Sequence, residues 1–254
     1  MELSTGTLVV LALILAAEFV NGWTDAPNAI ATVVSTRVLS PSRALAMASL
    51  LNLLGTLSGT AVAATIGTGI LRAEVVNVYT VGAAMVGIVI WSTLAWYWGL
   101  PTSESHALIA GLTGAGLATA GPQALLWSGW EKTLKGLLFS TFLGFGGGLL
   151  LMAAIYHLFA RQTPSRVRRI FGKLQIVSAA FMAFSHGSND GQKFMGAFTL
   201  VLVLDGALPA FRVPFWVILL CAAVMALGTA VGGWRIVKTM GLRMTHLEPV
   251  HGFA

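Results

Sequence analysis

Two short polar segments, one in each half of the chain, carry the residues best suited to bind an ion. The first spans residues 19–28 and contains Asp25, and the second spans residues 184–193 and contains Asp190. Aligned at these aspartates, the segments share phenylalanine, glycine and aspartate, with similar polar residues at three further positions. Both interrupt long apolar runs, where a carboxylate is costly unless it is paired, hydrated or bound to a cation. The aspartates are therefore predicted to bind a coupling cation or carry a proton; a structural helix cap is the alternative.

Asn28 and Lys193 occupy the third position after each of these aspartates. If both helices break at the polar segments, these two residues lie in the first turn of the following half-helix. Unpaired N–H groups and the positive dipole end at a helix N-terminus favour an oxyanion. The pattern thus predicts an anion next to a cation or proton site. Glu18 lies about two turns before Asp25 and is either a further ionisable group or a helix-packing residue.

A third polar segment, residues 101–106, separates two apolar stretches and contains Ser103, Glu104, Ser105 and His106. Hydroxyl and N–H groups at the start of a helix again suit an anion, although serine and proline are also common in tight turns. Glu104 at membrane depth is predicted to be protonated, paired with Lys193 or His106, or part of a cation site.

Long apolar stretches must position these residues. Hydrophobic residues make up 56% of the 254 positions and charged residues 9%, whereas soluble domains have about 25% charged residues. Seven stretches approach or exceed the roughly 20 residues that cross a membrane: residues 8–38, 44–70, 75–100, 105–120, 134–160, 174–204 and 213–234. Their length and lack of alternation predict an all-α polytopic membrane protein. The net charge of +6 comes without aromatic and basic interleaving, so nucleic-acid binding is not expected.

The basic residues predict an orientation. Loops 37–43, 161–173 and 235–243 are the most basic and are expected in the cytoplasm. For this orientation to hold, the stretches on either side of residues 101–106 must form a re-entrant hairpin that enters and leaves on the outer face. The two interrupted helices then run in opposite directions, as in a transporter built from inverted repeats.

The domain boundaries follow from these repeats. Residues 1–160 are expected to form the first repeat, residues 161–173 a basic cytoplasmic linker, and residues 174–254 an incomplete second inverted repeat. In the first repeat the hairpin tip at Ser103 follows Asp25. A second tip at the same distance after Asp190 would lie beyond Ala254. We therefore expect the chain to be part of a longer transporter with a second hairpin.

Residues 22–39, 101–106 and 184–190 resemble the bacterial type of the inorganic phosphate transporter (PiT) family, and the resemblance covers most of the chain. The resemblance implies uptake of inorganic phosphate coupled to sodium or protons, with no other cofactor. It also implies a multi-pass protein of the inner or plasma membrane that contacts lipid, forms a homodimer and has a PhoU-like cytoplasmic partner.

Matched residue by residue, the resemblance assigns phosphate or cation binding to Asp25, Asn28, Ser103, Ser105, Asn189 and Asp190. Glu104 stands where the family usually has a hydroxyl residue, and Lys193 where it has asparagine. Together these two add an internal charge pair that would replace, or compete with, a bound cation.

The predicted site therefore has three groups of residues. Phosphate is assigned to Asn28, Ser103, Ser105, Asn189 and Lys193. The coupling cation is assigned to Asp25, Asp190 and Glu104. Secondary candidates are Thr24, His106, His186 and Ser188.

The same residues leave three other functions to weigh against phosphate transport. A sulfate or other oxyanion carrier of the same fold is the nearest alternative. A passive anion channel would share the hairpin but would not need two acidic segments related by symmetry. An intramembrane hydrolase would use Asp25, Asp190, His106 and His186, but no pair of histidines at metal-ligand spacing is present in the sequence, so no enzyme activity is expected.

Overall fold

The computed structural model describes residues 3–243 and 247–254 and is almost entirely helical. The helices are α1 (Thr5–Ser35), α2 (Pro41–Leu57), α3 (Ala61–Gly69), α4 (Val78–Trp98), α5 (Glu104–Ala120), α6 (Trp127–Phe159), α7 (Pro164–His186), α8 (Gln192–Leu204), α9 (Phe215–Val231), α10 (Trp234–Lys238) and α11 (Pro249–Phe253). A 3₁₀ turn spans Gly121–Ala124, and π-helical turns span Gly187–Gly191 and Thr239–Arg243. Within the described ranges, β pairing is limited to a bridge between Leu71 and Leu125. The all-α prediction is confirmed.

Several of these helices are long and apolar enough to cross a membrane. Helices α1, α4 and α6 reach this length alone. Two bent pairs reach it together: α2 with α3, bent by 67°, and α9 with the segment Trp234–Gly241, bent by 52°. Helix α6 is the least buried of the three long helices and has many exposed apolar side chains, as a helix facing lipid would.

Helices α4 and α5 form the predicted hairpin. At its base the hydroxyl oxygens of Thr80 and Thr119 lie 2.9 Å apart. Helix α4 ends at Gly99, whose φ of 68° lies in the left-handed region that glycine adopts readily. Helix α5 begins after Ser103, whose hydroxyl accepts a hydrogen bond from the His106 N–H. The tip between the two helices lies next to the middle of α1.

The helices do not break at the two polar segments, residues 19–28 and 184–193, where interruptions were predicted. Helix α1 runs without a break through residues 19–28. Pro27 cannot donate to the Trp23 carbonyl, and Gly233 packs against both that carbonyl and the proline ring. Residues 184–193 also stay helical, because the π-helical turn Gly187–Gly191 widens the helix and lets α7 continue into α8. Asn28 and Lys193 therefore lie within continuous helices and not at free helix N-termini. The assignment of these two residues to phosphate stays a prediction.

The helices that bend are the neighbours of these two. Helices α2 and α3 bend next to the π-helical turn, where the Thr56 hydroxyl donates to the Gly187 carbonyl. The pair α9 and α10 bends at Gly232 and Gly233, next to Pro27. Each continuous helix that carries a candidate aspartate thus packs against a bent partner from the other half of the chain.

Glycine contacts in the two halves correspond to one another. Gly22 and Gly187 lie against the carbonyl oxygens of Met225 and Asn52, and Gly228 and Gly55 lie against those of Phe19 and Phe184. Phe184 follows Phe19, and Gly187 follows Gly22, by the same number of residues by which Asp190 follows Asp25. This correspondence supports two related halves; the domain boundaries themselves stay a prediction.

These close contacts give a stability prediction. In Gly187→Ala the new methyl group would lie 2.6 Å from Asn52 Cα, between two helix backbones that have little room to separate. We expect a loss of about 1–3 kcal/mol in the free energy of unfolding, as for other overpacked sites. Thermal unfolding in detergent micelles would show this as a lower midpoint.

Gly147→Ala is the matched control. Gly147 lies in the middle of α6 with no atom within 4 Å of an added methyl group, so this change should leave the midpoint equal or slightly higher, because alanine favours helix over glycine. Equal midpoints for Gly187→Ala and Gly147→Ala would contradict the packing argument.

Candidate functional site: a buried charge cluster beside the hairpin tip

The π-helical turn, the start of α8 and the hairpin tip meet at Lys193. Its ammonium Nζ lies 2.6 Å from Asp190 Oδ1 and also donates to the Ser105 hydroxyl. Among the described side chains, Lys193 is the single buried lysine or arginine. Lysine is rarely buried unless it is paired. The sequence indicated Glu104 as a partner of Lys193, but in the structure the partner is Asp190.

Glu104 is held by hydroxyl groups from two other helices. Thr24 Oγ1 of α1 donates to Glu104 Oε1 at 3.0 Å, and Ser92 Oγ of α4 donates to Oε2 at 2.7 Å. Close by, the rings of Trp23 and Trp96 have their centroids 4.3 Å apart. These contacts fix the hairpin tip against α1. Of the alternatives that the sequence left open for Glu104, pairing with Lys193 or His106 does not occur in the structure.

His186 lies between the two candidate aspartates. Its Nε2 is 3.6 Å from Asp25 Oδ2 and 3.9 Å from Asp190 Oδ2. Its Nδ1 is 3.1 Å from Asn52 Oδ1, while the Asn52 amide donates to Thr229 Oγ1 at 2.8 Å. Because that amide is the donor, Asn52 Oδ1 must accept, so Nδ1 carries a hydrogen and Nε2 faces the carboxylates.

Asp25, His186 and Asp190 together could hold a cation. One ligand atom from each residue lies within 4.8 Å of the other two. Asp25 comes from α1 and the other two from the second polar segment, so the group joins the two halves of the chain. Asp25 and Asp190 were predicted from the sequence as cation ligands, whereas His186 was only a secondary candidate.

The remaining candidates take no part in the hydrogen bonds of the cluster. Asn28 is exposed one turn beyond Asp25. Asn189 is exposed, and its amide donates to the Ser185 carbonyl of its own helix at 2.9 Å. Ser188 Oγ lies 3.1 Å from Ser58 Oγ. Ser103 and His106 contact each other at the start of α5. The roles of all these residues stay predictions.

Three contributing residues were missed: Ser92, Asn52 and Thr229. Asn52 and Thr229 are single polar residues inside apolar stretches, which is a signal of function in a membrane segment. Ser92 follows Trp91 in α4, and nothing in its surrounding sequence indicates a contact with Glu104. All three act through partners that are distant in the sequence.

The sequence profile described as the Phosphate transporter family matches residues 21–254 of the chain. The chain belongs to this family. The relatives in the family are named as transporters, so the hydrolase alternative is excluded. Together with the long apolar helices, family membership makes this a multi-pass membrane protein.

Two curated relatives carry the name probable low-affinity inorganic phosphate transporter. The Rhizobium meliloti protein is 46% identical over 245 residues, covering 96% of this chain and 73% of that protein. The Bacillus subtilis protein is 36% identical over 254 residues, covering 97% of this chain and 75% of that protein. The low-affinity inorganic phosphate transporter PitA of Escherichia coli is 34% identical over 242 residues, covering 83% and 48%.

A solved structure of a protein described as the sodium-dependent phosphate transporter has the same fold. It superposes with a TM-score of 0.87 over 98% of this chain and 81% of that chain, at 22% sequence identity. At this identity the likeness concerns the fold, and the roles of individual residues have to be argued from the geometry of the site.

Proposed function

We propose that this phosphate transporter family protein is a secondary active transporter that moves inorganic phosphate together with sodium or a proton. The observation that carries the proposal is the buried cluster of Asp25, His186, Asp190 and Lys193, which joins the two halves of the chain next to a helical hairpin. Buried ionisable groups inside a membrane protein are costly and mark substrate or ion pathways. The names of the relatives support phosphate as the substrate.

Within this site, Lys193 and Ser105 are proposed to donate to phosphate. The ammonium and hydroxyl are already in contact with each other, so one phosphate could accept from both. Ser103 and Asn189 lie near these donors in sequence, and Asn28 lies one turn beyond Asp25. All three are proposed to complete the phosphate shell. Ser105 belongs to the hairpin tip and Lys193 to α8, so phosphate would bridge two separate structural elements.

The coupling cation is proposed to bind between Asp25 and Asp190. Their carboxylates face each other across His186, and two carboxylates with one imidazole between them attract a positive charge. Glu104, held by Thr24 and Ser92, would position the hairpin tip beside this site. Charge neutralisation by the cation would then favour phosphate at Lys193, which couples the two ions.

Alternating access is proposed to use the two halves as inverted repeats. The two helices with the aspartates are each packed against a bent partner, and irregular helices at the centre of inverted repeats are the usual place for a transported ion. Cytoplasmic placement of loops 37–43, 161–173 and 235–243, a homodimer and a PhoU-like partner are further parts of the proposal, based on the basic loops and the family resemblance.

Counterflow in proteoliposomes tests this function. Vesicles preloaded with unlabelled phosphate should accumulate labelled phosphate transiently above the external concentration, because a carrier exchanges substrate across the membrane. An excess of external sulfate should leave the accumulation unchanged. Vesicles containing the Asp190→Asn variant provide the control for leakage.

Two other outcomes of the counterflow experiment would each identify a different function. Labelled phosphate that equilibrates without transient accumulation would indicate a passive channel. If external sulfate suppressed the accumulation of labelled phosphate as strongly as external unlabelled phosphate does, the protein would be a general oxyanion carrier.

A further inference from the structure

Glu18 is a fully buried carboxyl group for which the proposed phosphate site has no use. It lies on α1, two turns before Asp25, with 0% of its surface exposed. Neither of its carboxyl oxygens has a hydrogen-bond partner, and neither does Asn21 Oδ1 one turn further along the helix. Ile14 and Ala17 on the preceding turn belong to the apolar core. An ionised carboxylate without donors in such a place is strongly destabilised.

The fold does not require a carboxyl group at this position. Ala183 occupies the corresponding position in the second half, since Glu18 and Ala183 each stand seven residues before their aspartate. Ala183 is fully buried and packs in an apolar cluster. Helix packing at this point of the repeat therefore accepts a small apolar side chain, and the acid at Glu18 needs another explanation.

We propose that Glu18 is a proton-binding site whose occupancy is linked to phosphate through Lys193. The proposal rests on the proposed phosphate site and adds a residue to it. A proton binds the Glu18 carboxylate and gives a neutral acid, whose O–H can donate to the unpartnered Asn21 Oδ1. One transferred proton thus removes the buried charge and provides a donor for Asn21 Oδ1.

A proton fits this place better than a metal cation. The unpartnered oxygens on this stretch of α1 are the two of Glu18 and the one of Asn21. Hard metal cations such as calcium or magnesium take about six oxygen ligands and usually keep waters. A further atom near Asn21 is Met225 Sδ, which accepts from the Asn21 amide at 3.7 Å and is a poor ligand for hard cations.

The charged groups around Glu18 provide the link to phosphate. The π-helical turn with Asp190 and helix α8 with Lys193 both pack against α1, and Cys221 of α9 belongs to the same apolar core as Ala17. Asp190 disfavours the ionised form of Glu18, and Lys193 favours it. On its own helix the next acid is Asp25. Lys193 is the cation among these groups, so it is the one that would stabilise an ionised Glu18.

Phosphate at Lys193 would change this balance. The anion adds negative charge close to Glu18 and engages the ammonium that stabilised the carboxylate, so phosphate binding should favour protonated Glu18. Because binding linkage is reciprocal, protonated Glu18 should in turn tighten phosphate binding. Phosphate and a proton would then bind together, which is the requirement for symport.

Isothermal titration calorimetry of phosphate binding to the purified protein tests the link. Titrations in buffers of different ionisation enthalpy count the protons taken up for each phosphate bound. We expect Glu18→Gln to take up fewer protons than the wild type. Glutamine imitates the neutral acid, so phosphate affinity in this variant should also fall less as pH rises. Glu74→Gln, an exposed acid in the loop before α4, is the matched control and should behave as the wild type.

The outcomes separate this inference from the proposed function. Absence of phosphate binding by the wild type would contradict the proposed function itself. Binding with equal proton counts in the wild type and Glu18→Gln would overturn the Glu18 assignment alone. A variant that changed only the sodium dependence of binding would show a metal cation at Glu18 and would also overturn it.

A second measurement on the wild type covers the case in which Glu18→Gln does not fold. Carbodiimides react with protonated carboxyl groups in apolar surroundings, and mass spectrometry locates the modified residue. We expect modification at Glu18 that becomes faster when phosphate is present. Equal rates with and without phosphate, or no modification at Glu18, would overturn the proposal.

Discussion

Replacement of Asp190 by asparagine is expected to lower coupled phosphate uptake by about two orders of magnitude or more. Asp190 Oδ1 lies 2.6 Å from Lys193 Nζ, and both side chains are buried. The change removes one charged ligand of the proposed cation site and the partner that holds the Lys193 ammonium in place. A loss of about 2.7 kcal/mol of ion-binding free energy corresponds to a hundredfold change. The initial rate of labelled phosphate uptake into proteoliposomes, per amount of inserted protein, measures this effect.

Asp25→Asn should lower coupled phosphate uptake to a similar extent as Asp190→Asn. It should lower the free energy of unfolding less. Asp25 Oδ2 is 3.6 Å from His186 Nε2, a longer contact than that between Asp190 and Lys193, so its loss leaves no ammonium unpaired. Loss of its charge would remove half of the proposed cation site. Thermal midpoints in detergent should therefore fall further for Asp190→Asn than for Asp25→Asn.

Glu131→Gln is the control for both aspartate variants. Glu131 pairs with Lys135 at 2.5 Å on the surface of α6, and both side chains are 65% exposed. Exposed ion pairs of this kind contribute about 0–1 kcal/mol, so uptake and stability should stay at wild-type values. Wild-type uptake by both aspartate variants would contradict the assignment of the site.

The sequence predicted the helices and the hairpin well because both depend on local patterns. Long apolar stretches have few ways to satisfy their backbone in a membrane other than as helices. The polar residues 101–106 between two such stretches indicated a tip, and the structure places a sharp turn there, between Trp98 and Glu104. Gly99 and the Ser103 cap are the local reasons for that turn.

The sequence did not predict where the helices bend because the bends depend on neighbouring helices. The polar residues 19–28 indicated a break in α1, yet Gly233 from the other half packs against the Trp23 carbonyl that Pro27 leaves free, and α1 continues. The polar residues 184–193 indicated a second break, but Gly187 and Gly191 allow α2 to approach closely while the chain stays helical. A polar segment cannot show which partner will occupy the space beside it.

Part of the candidate site was predictable for a similar reason. Asp25, Asp190, Lys193 and Ser105 were identified because a charged or polar residue in an apolar stretch stands out. The structure brings Asp190, Lys193 and Ser105 into contact. Asn52 and Thr229 were missed because they act through a series of hydrogen bonds, from His186 to Asn52 to Thr229, that crosses the two halves. The sequence pattern contains no information about that series of hydrogen bonds.

Lys193→Asn is expected to weaken phosphate binding by about tenfold to a hundredfold, since hydrogen bonds to charged groups contribute about 1.5–3 kcal/mol. The asparagine matches Asn28 at the corresponding position of the first half, so the change should fit the fold. Calorimetry on the purified variant measures the affinity. Lys135→Asn on the exposed surface of α6 is the control and should bind phosphate as the wild type does. Unchanged affinity in Lys193→Asn would exclude Lys193 from the phosphate site.

The double variant Asp190→Asn with Lys193→Asn separates stability from transport. Each single change leaves one buried charge without its partner, whereas the double change removes both charges. The thermal midpoint of the double variant should therefore lie above that of Asp190→Asn, with a coupling energy that a double-mutant cycle measures directly. Uptake should remain as low as in Asp190→Asn, because the cation and phosphate ligands are both missing. A double variant that recovered transport together with stability would show that the pair holds the fold and binds neither ion.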